Sequence, residues 1–216
     1  HIAYVSDGKV QIMGSRSLIR EAALNWDGIV RIYAGNDSTA AIDSNLLPRA
    51  AGYNVFNKNK FIGWTDIKEM SLSSNFTAGL TSGGKVFVTD YLNGTEAGNY
   101  DIYGQMDTED WKNIVYAASS SKNTVGIDKS GKAFAAGDNM YGQCGLDEWS
   151  GMVSADAGDG FVVGLKSDGT VAAKGRNIYG VCEVEDLRNI VYIDASDTYF
   201  VAVDKGGGIT VKGKMR

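Results

Sequence analysis

The sequence has few of the residues that build metal sites, disulfides and most catalytic centres. Its 216 residues include one histidine, two cysteines and one proline. Two cysteines cannot form a disulfide framework, and together with a single histidine they do not complete an ordinary zinc site. No second histidine is present to act as a general base for a serine or cysteine nucleophile. We therefore expect no bound metal, no cofactor and no catalytic residues.

The sequence also lacks an excess of positive charge and any long apolar run. Lys and Arg total 21 against 26 Asp and Glu, so the net charge of −5 has the wrong sign for a protein that neutralises phosphates. No apolar run approaches the roughly 18 residues that a membrane-spanning helix needs. We expect neither a nucleic-acid partner nor membrane insertion. With 44% hydrophobic residues, the chain can bury a self-sufficient core.

Glycine is abundant, with 28 residues, and it marks an internal repeat. Each unit starts at an anchor residue: Trp26, Trp64, Trp111, Trp149 and Leu187. Successive anchors are separated by 38, 47, 38 and 38 residues. The period of the repeat is therefore 38 residues. An insertion near residues 91–99 accounts for the interval of 47, which is nine residues longer. Because the tryptophans recur in register, we predict that they pack between adjacent repeat units.

Each unit contains the pattern of three short strands. Below, the position of a residue is the number of residues that separate it from the anchor of its unit. In the unit of Trp64, nine is subtracted for residues that follow the insertion, so that equivalent residues carry the same position number. An apolar residue at position 3 starts the first strand, and a small residue at position 9 predicts a sharp turn. The second strand covers positions 13–16, as in residues 124–127. Glycine at position 20 predicts a hairpin with positive φ that leads into the third strand, as in residues 84–89.

A unit of this length, with three or four short strands and no helical period, is typical of a β-propeller blade. We therefore predict an all-β fold in which residues 1–216 form a single propeller domain with blades of about 38 residues. The sequence begins within a second strand and ends after a third strand, so it holds about five and a half units. Five to six blades are expected, in a ring that is incomplete, open or part of a longer protein.

The repeat resembles that of the regulator of chromosome condensation family. The resemblance rests on residues 111–115 (Trp-Lys-Asn-Ile-Val), 124–131 (Thr-Val-Gly-Ile-Asp-Lys-Ser-Gly) and 137–143 (Gly-Asp-Asn-Met-Tyr-Gly-Gln). It recurs in residues 161–170 and 175–180 and covers nearly the whole chain. Family members form propellers, usually with seven blades. Bacterial members include a propeller-type inhibitor of β-lactamase that covers its target with aromatic loops. The resemblance thus implies a protein partner and favours a secreted or cell-envelope location, with the cytoplasm left open.

The turn between the first and second strands, at positions 10–12, is the predicted binding surface. Its residues differ from unit to unit in size, charge and aromaticity, whereas the framework positions are uniform. The predicted partner-binding residues are Asp37, Ser38, Asn75, Phe76, Lys122, Asn123, Asp159, Phe161, Thr198 and Tyr199. Exposed rings at Phe76, Phe161 and Tyr199 would be its anchors. The alternative is that position 12 points inward and these rings cap the blade core.

The function predicted from these features is non-enzymatic binding of another protein, with enzyme inhibition as one form of it. The alternative is a propeller that binds or cleaves carbohydrate, which a ring of carboxylates facing the central channel would favour. Cys144 and Cys182 share position 33 with Met106, so we predict that this position is an apolar packing site.

Overall fold

The computed structural model describes residues 2–14, 23–35, 38–52, 60–61, 63–89 and 101–215. Two of the predictions concern residues outside these ranges, namely the insertion near 91–99 and Asp37. The described strands are β1 (Ile2–Ser6), β2 (Lys9–Met13), β3 (Ile29–Ala34), β4 (Ser38–Asp43), β5 (Pro48–Gly52), β6 (Ile67–Leu72), β7 (Thr77–Thr81), β8 (Val86–Val88), β9 (Ile114–Ser119), β10 (Asn123–Asp128), β11 (Ala133–Gly137), β12 (Met152–Ala157), β13 (Phe161–Lys166), β14 (Val171–Gly175), β15 (Ile190–Ala195), β16 (Tyr199–Asp204) and β17 (Ile209–Gly213). None of the described residues belongs to a helix that is long and apolar enough to cross a bilayer.

The strands form six separate antiparallel sheets. Five have three strands in the predicted order of first, second and third strand, from β3–β4–β5 to β15–β16–β17. The remaining sheet is the β1–β2 hairpin, whose strands stand in the places of a second and a third strand. The prediction of an all-β propeller with five to six blades is confirmed.

The blades are arranged around a common axis. The first strands β3, β6, β9, β12 and β15 pack on one another in succession and therefore lie nearest the axis. Each first strand carries a bulge at position 4, which turns exposed valines such as Val115 and Val153 toward solvent. Packing between described sheets runs in one series from β1–β2 to β15–β17.

Consecutive blades are joined by a backbone hydrogen bond at the hairpin between the second and third strands. The amide of Ile114 donates to the carbonyl of Gly84 at 3.0 Å, and Met152 donates to Gly131 at the same distance. A β-carbon on Gly131 would lie 3.0 Å from Gly151, so glycine is needed both for space and for its φ of 81°. Leu46 takes this place in one unit and adopts a φ of 59°.

Three of the four anchor tryptophans lie on a glycine of the second strand, whereas Trp26 packs with Ala41 at the same position. A β-carbon on Gly126 would lie 2.7 Å from the Trp111 indole, and one on Gly79 would lie 2.4 Å from Trp64. Trp64 also joins Ala40 and Ile42 of the preceding blade in one core cluster. The predicted packing of the tryptophans between blades is confirmed, and the rings of Trp64, Trp111 and Trp149 leave no room for a β-carbon on the facing glycine.

The glycine and the anchor ring should therefore be energetically coupled. Gly164→Ala should lower the free energy of unfolding by about 1–3 kcal/mol, because its β-carbon would lie 2.6 Å from the Trp149 ring. The last blade combines the anchor Leu187 with Ala202 at the glycine position. In the Trp149→Leu background, Gly164→Ala should therefore lower the free energy of unfolding by much less, because the ring that the β-carbon would meet is absent. Urea unfolding of the four proteins of this double-mutant cycle measures the coupling.

Ala202→Gly is the matched control, since it alters the same strand position beside a leucine anchor. It should lower stability by no more than about 1 kcal/mol, through backbone entropy and lost packing. An equal cost of Gly164→Ala with and without the Trp149 ring would contradict this packing account.

Candidate binding face

The first strand of every three-stranded blade ends in the same turn. The amide at position 9 donates to the carbonyl at position 12, as in Ser120 to Asn123 at 2.8 Å and Gly158 to Phe161 at 2.9 Å. Because neighbouring first strands pack side by side, their turns meet at one end of the propeller. We call this end the turn face; its described turns comprise residues 73–76, 120–123, 158–161 and 196–199.

Position 12 points into the blade core rather than to solvent. Phe76 and Phe161 are only 4% and 1% exposed, Ser38 and Asn123 are also buried, and Tyr199 is half-buried. The physical reason is that position 12 begins or adjoins the second strand, which is covered on both sides by neighbouring structure. The inward alternative therefore holds for Phe76 and Phe161, which are not available as exposed anchors.

The predicted residues at positions 10 and 11 connect neighbouring turns. The side-chain amide of Asn75 donates to the carbonyl of Ser121 at 2.9 Å. Lys122 forms an ion pair with Asp159 at 2.9 Å, and this hydrogen bond raises the pKa of Lys122. The amide of Asp159 in turn donates to the carbonyl of Asp197 at 3.0 Å. These variable residues thus fix the spacing of adjacent blades while remaining partly accessible.

Thr198, the remaining predicted residue, bonds within its own blade. Its hydroxyl donates to the carbonyl of Lys214 at 2.7 Å. The structure therefore brings Asn75, Lys122, Asp159 and Thr198 to the turn face.

A central depression of about 210 Å³ opens on the turn face at the axis. It is lined by Leu72, Ser73, Ser74, Ser119, Ser120, Ser121, Ala157, Ala195, Ser196 and Asp197. Serine at position 9 was predicted only as a turn residue. Its further place in this polar lining could not be read from the sequence, because it depends on how the blades converge.

Asp156 connects two blades next to the depression. Its carboxylate accepts hydrogen bonds from the amides of Ala157 and Ala195, both at 2.8 Å. Burial raises the pKa of Asp156 to about 7, and these two bonds oppose the shift. Burial also raises the pKa of the neighbouring Asp194, and burial and the charge of Asp156 raise that of Tyr116. The axis therefore carries carboxylates, but that of Asp156 is engaged in linking β12 to β15.

Three exposed pairs of an apolar residue and a tyrosine also lie on the turn face, outside the predicted binding residues. They are Ile102–Tyr103, Met140–Tyr141 and Ile178–Tyr179, at positions 29 and 30. The exposed fractions are 70% and 42% in the first pair, 77% and 45% in the second, and 58% and 45% in the third. We call them the apolar–tyrosine pairs. The tyrosines recur in the sequence, but uniformity along the repeat is equally typical of framework residues and does not indicate exposure.

Each tyrosine of these pairs lies under a cation of the following blade. The Lys122 ammonium is 5.7 Å from the centre of the Tyr103 ring, and the Arg176 guanidinium is 5.3 Å from that of Tyr141. Ile178 and Tyr179 line a small cleft together with Asp159 and other turn residues. The pairs and the turns therefore form one continuous surface across three blade junctions.

The cysteines lie beside the third strands. The Cys144 thiol donates to the carbonyl of Asp138 at 3.2 Å, and Cys182 packs against the core of its blade junction. Burial raises the pKa of both thiols. Position 33 is half-buried, and the predicted apolar packing is seen at Cys182, whereas the Cys144 sulfur also accepts a hydrogen bond from the Asn123 side-chain amide. Among the residues that the structure describes, no group of three His, Cys, Asp or Glu side chains is placed to hold a metal ion.

Comparisons with solved structures show the fold. Prp20p from Saccharomyces cerevisiae superposes with a TM-score of 0.66 at 18% identity, over 91% of this chain and 58% of that protein. Human WBSCR16 gives 0.65 at 14% identity, over 86% and 62% of the two chains. The ectodomain of the Arabidopsis thaliana receptor kinase ACR4 gives 0.62 at 15% identity, over 96% and 74%.

The chain therefore has the fold of the regulator of chromosome condensation propellers, as its repeat predicted. It spans less than two thirds of the length of Prp20p and WBSCR16. No protein-family model and no curated protein matches the sequence.

The raised pKa of Asp156 should appear in the pH dependence of stability. Between about pH 4 and 7 the folded protein holds a proton that the unfolded chain has lost, so this residue's contribution falls as pH rises. The stability advantage of the wild type over Asp156→Asn should therefore be larger at pH 5 than at pH 8. Urea unfolding at both values checks this. An advantage that grows with pH would show that the two amide bonds outweigh burial and keep the carboxylate ionised.

Proposed function

We propose that the chain is a non-enzymatic binding module that recognises another protein through the turn face. The observation that carries the proposal is the recurrence of exposed apolar–tyrosine pairs at three successive blade junctions. An isolated exposed apolar residue needs no explanation, whereas several in one repeated arrangement are typical of an interaction surface. Tyrosine contributes large contact area at low entropic cost, which suits it to this role.

The solved propellers of the same fold support the class of function. Prp20p has binding properties toward Gsp1p and histones, and it forms a complex with Kap60. For this chain we propose a protein partner, since the net charge of −5 disfavours binding to the phosphates of a nucleic acid. Inhibition of an enzyme by covering its active site is a specific form of this proposal.

The proposed contact residues are the apolar–tyrosine pairs together with Asn75, Lys122, Asp159, Thr198 and Tyr199. Asp37 belongs to an equivalent turn position and is proposed on that ground alone. Ser38, Phe76, Asn123 and Phe161 would act indirectly, because they are buried and hold the turns in place. The pairs would supply the apolar anchors and the turns the polar contacts that select the partner.

A propeller that binds or cleaves carbohydrate is the second candidate. Exposed tyrosine rings and the axial carboxylates Asp156 and Asp194 favour it. Against cleavage, the Asp156 carboxylate already accepts two backbone hydrogen bonds, and Glu69 pairs with Arg31 at 3.5 Å. This second candidate would be favoured if the wild type bound an immobilised glycan saturably and the turn-face variant, defined in the next paragraph, did not bind it.

The test compares two triple variants, one on the turn face and one at the opposite end of the propeller. The turn-face variant carries Ile102→Thr, Met140→Thr and Ile178→Thr. The control carries Val115→Thr, Val153→Thr and Val191→Thr, which are exposed valines at the opposite end of the first strands. A partner is captured from an extract of the source organism, identified, purified and titrated against all three proteins. The turn-face variant should bind at least about tenfold more weakly, because apolar anchors dominate such interfaces.

The control variant should bind like the wild type. Circular dichroism and the melting temperature of each variant establish that the fold is retained. Unchanged affinity of the turn-face variant, or a selective loss in the control, would contradict the proposed face.

A further inference from the structure

The loop after the third strand is built alike in three units, but one buried residue in it changes. Position 32 is Gln105 in one unit, Gln143 in the next and Val181 in the third. The side-chain carbonyl of Gln105 accepts a hydrogen bond from the Tyr103 amide at 3.2 Å. That of Gln143 accepts one from the Tyr141 amide at 2.9 Å. Valine has no oxygen with which to make this bond.

The loop keeps its conformation in the third unit. The position-33 amide donates to the side-chain oxygen at position 28 in all three units, at 3.0, 2.9 and 2.8 Å. The glycine at position 31 has a φ of 74°, 76° and 70°. The Tyr179 amide therefore points as the Tyr141 amide does. Among the described residues, however, it has no acceptor.

A cleft lies where the third unit lacks the glutamine side chain. Val181 and Phe161, which are 4% and 1% exposed, give it an apolar floor, and Tyr179 lines it above them. Asp197 of the following blade lies on its other side. We call this space the junction cleft. Its volume of about 20 Å³ is little more than one water molecule needs, so it admits the end of one side chain rather than a whole small molecule.

Hydrogen-bonding groups of both kinds belong to the lining of the junction cleft. Besides the Tyr179 amide, the buried Nε–H of Arg176 is a donor without a partner among the described residues. Asp159 and Asp197 contribute carboxylates, which are acceptors. Asp159 also pairs with Lys122 at 2.9 Å, but a carboxylate has lone pairs for further donors.

This combination favours a primary carboxamide over other side-chain ends. A carboxamide accepts through its oxygen and donates through its NH₂ group, so it matches the donors and the acceptors together. An ammonium group offers the Tyr179 amide no acceptor, and an apolar group leaves that amide unpaired. A carboxylate has no donor for Asp159 and Asp197 and carries the same sign of charge as they do.

We propose that the junction cleft takes the carboxamide of a glutamine side chain from the partner protein. Its oxygen accepts from the Tyr179 amide, as the oxygens of Gln105 and Gln143 accept from the equivalent amides. The inference rests on the proposed function, in which the turn face is the end that binds the partner, and it names the chemistry of one contact there.

The variant Val181→Gln tests the assignment, because it supplies from within the oxygen that the partner would bring. It should fold, since glutamine occupies the same position in two other units. Its Tyr179 amide should exchange with solvent at least about tenfold more slowly than that of the wild type. Gln143→Val is the reciprocal control and should speed exchange of the Tyr141 amide.

Hydrogen exchange measured by NMR follows both amides. A wild-type Tyr179 amide that is as well protected as the Tyr141 amide would overturn the proposal, because it would already have an acceptor.

The ligand chemistry is tested with three capped amino acids of similar length: the Nα-acetyl N-methylamides of glutamine, glutamate and methionine. The glutamine probe should shift the Tyr179 amide resonance saturably in the wild type but not in Val181→Gln. The other two should bind at least about tenfold more weakly at pH 7, because they leave polar groups of the cleft unpaired. Absence of a saturable shift, equal binding to both proteins, or no preference for glutamine would overturn the proposal.

The purified partner separates this inference from the proposed function. Val181→Gln should weaken binding of the partner at least about tenfold, because it fills the cleft. If the turn-face variant loses binding while Val181→Gln binds like the wild type, the turn face stands and the glutamine contact is wrong. If neither protein loses binding, both proposals are wrong.

Discussion

Packing of an anchor side chain between neighbouring blades is the constraint on which the architecture depends, and in three units the anchor is a tryptophan that lies on a second-strand glycine. Where Trp64, Trp111 and Trp149 lie on glycine, a single β-carbon would enter the indole. This contact lets a large ring fill the space between two thin sheets, each of only three strands. Close approach of blades allows the position-20 hairpin to bond to the next blade, and this bond also forms where Ala41 or Ala202 replaces the glycine.

Burial of the second strand on both sides determines what remains for recognition. Side chains at the start of this strand, such as those of Phe76 and Phe161, are buried in the core and cannot contact a partner. The polar residues beside them, Lys122 and Asp159, link adjacent turns. On the turn face, exposed apolar side chains are found at the loops after the third strands, where the apolar–tyrosine pairs recur. Variability along the repeat was a poor guide to exposure, because some variable residues serve packing and some uniform ones face solvent.

The sequence alone was sufficient for the period, the strand order, the turn glycines and the half-unit at β1–β2, since these depend on local chemistry repeated at fixed spacing. It also located the turn that ends each first strand. It did not decide which way position 12 points, because both orientations satisfy the same turn. The roles of Asp156 and of the serine-lined depression were equally invisible, since they arise only where separate blades converge on the axis.

The central claim is that one end of the propeller, formed by the turns and the apolar–tyrosine pairs, carries the binding function. The most direct measurement is the hydrogen-exchange footprint of a captured partner on the intact chain. The account predicts slowed exchange in residues 102–104, 140–142 and 178–180 and in the adjoining turns, with the bulged starts of the first strands unchanged. Slowed exchange confined to the opposite end, around Val115, Val153 and Val191, would contradict it.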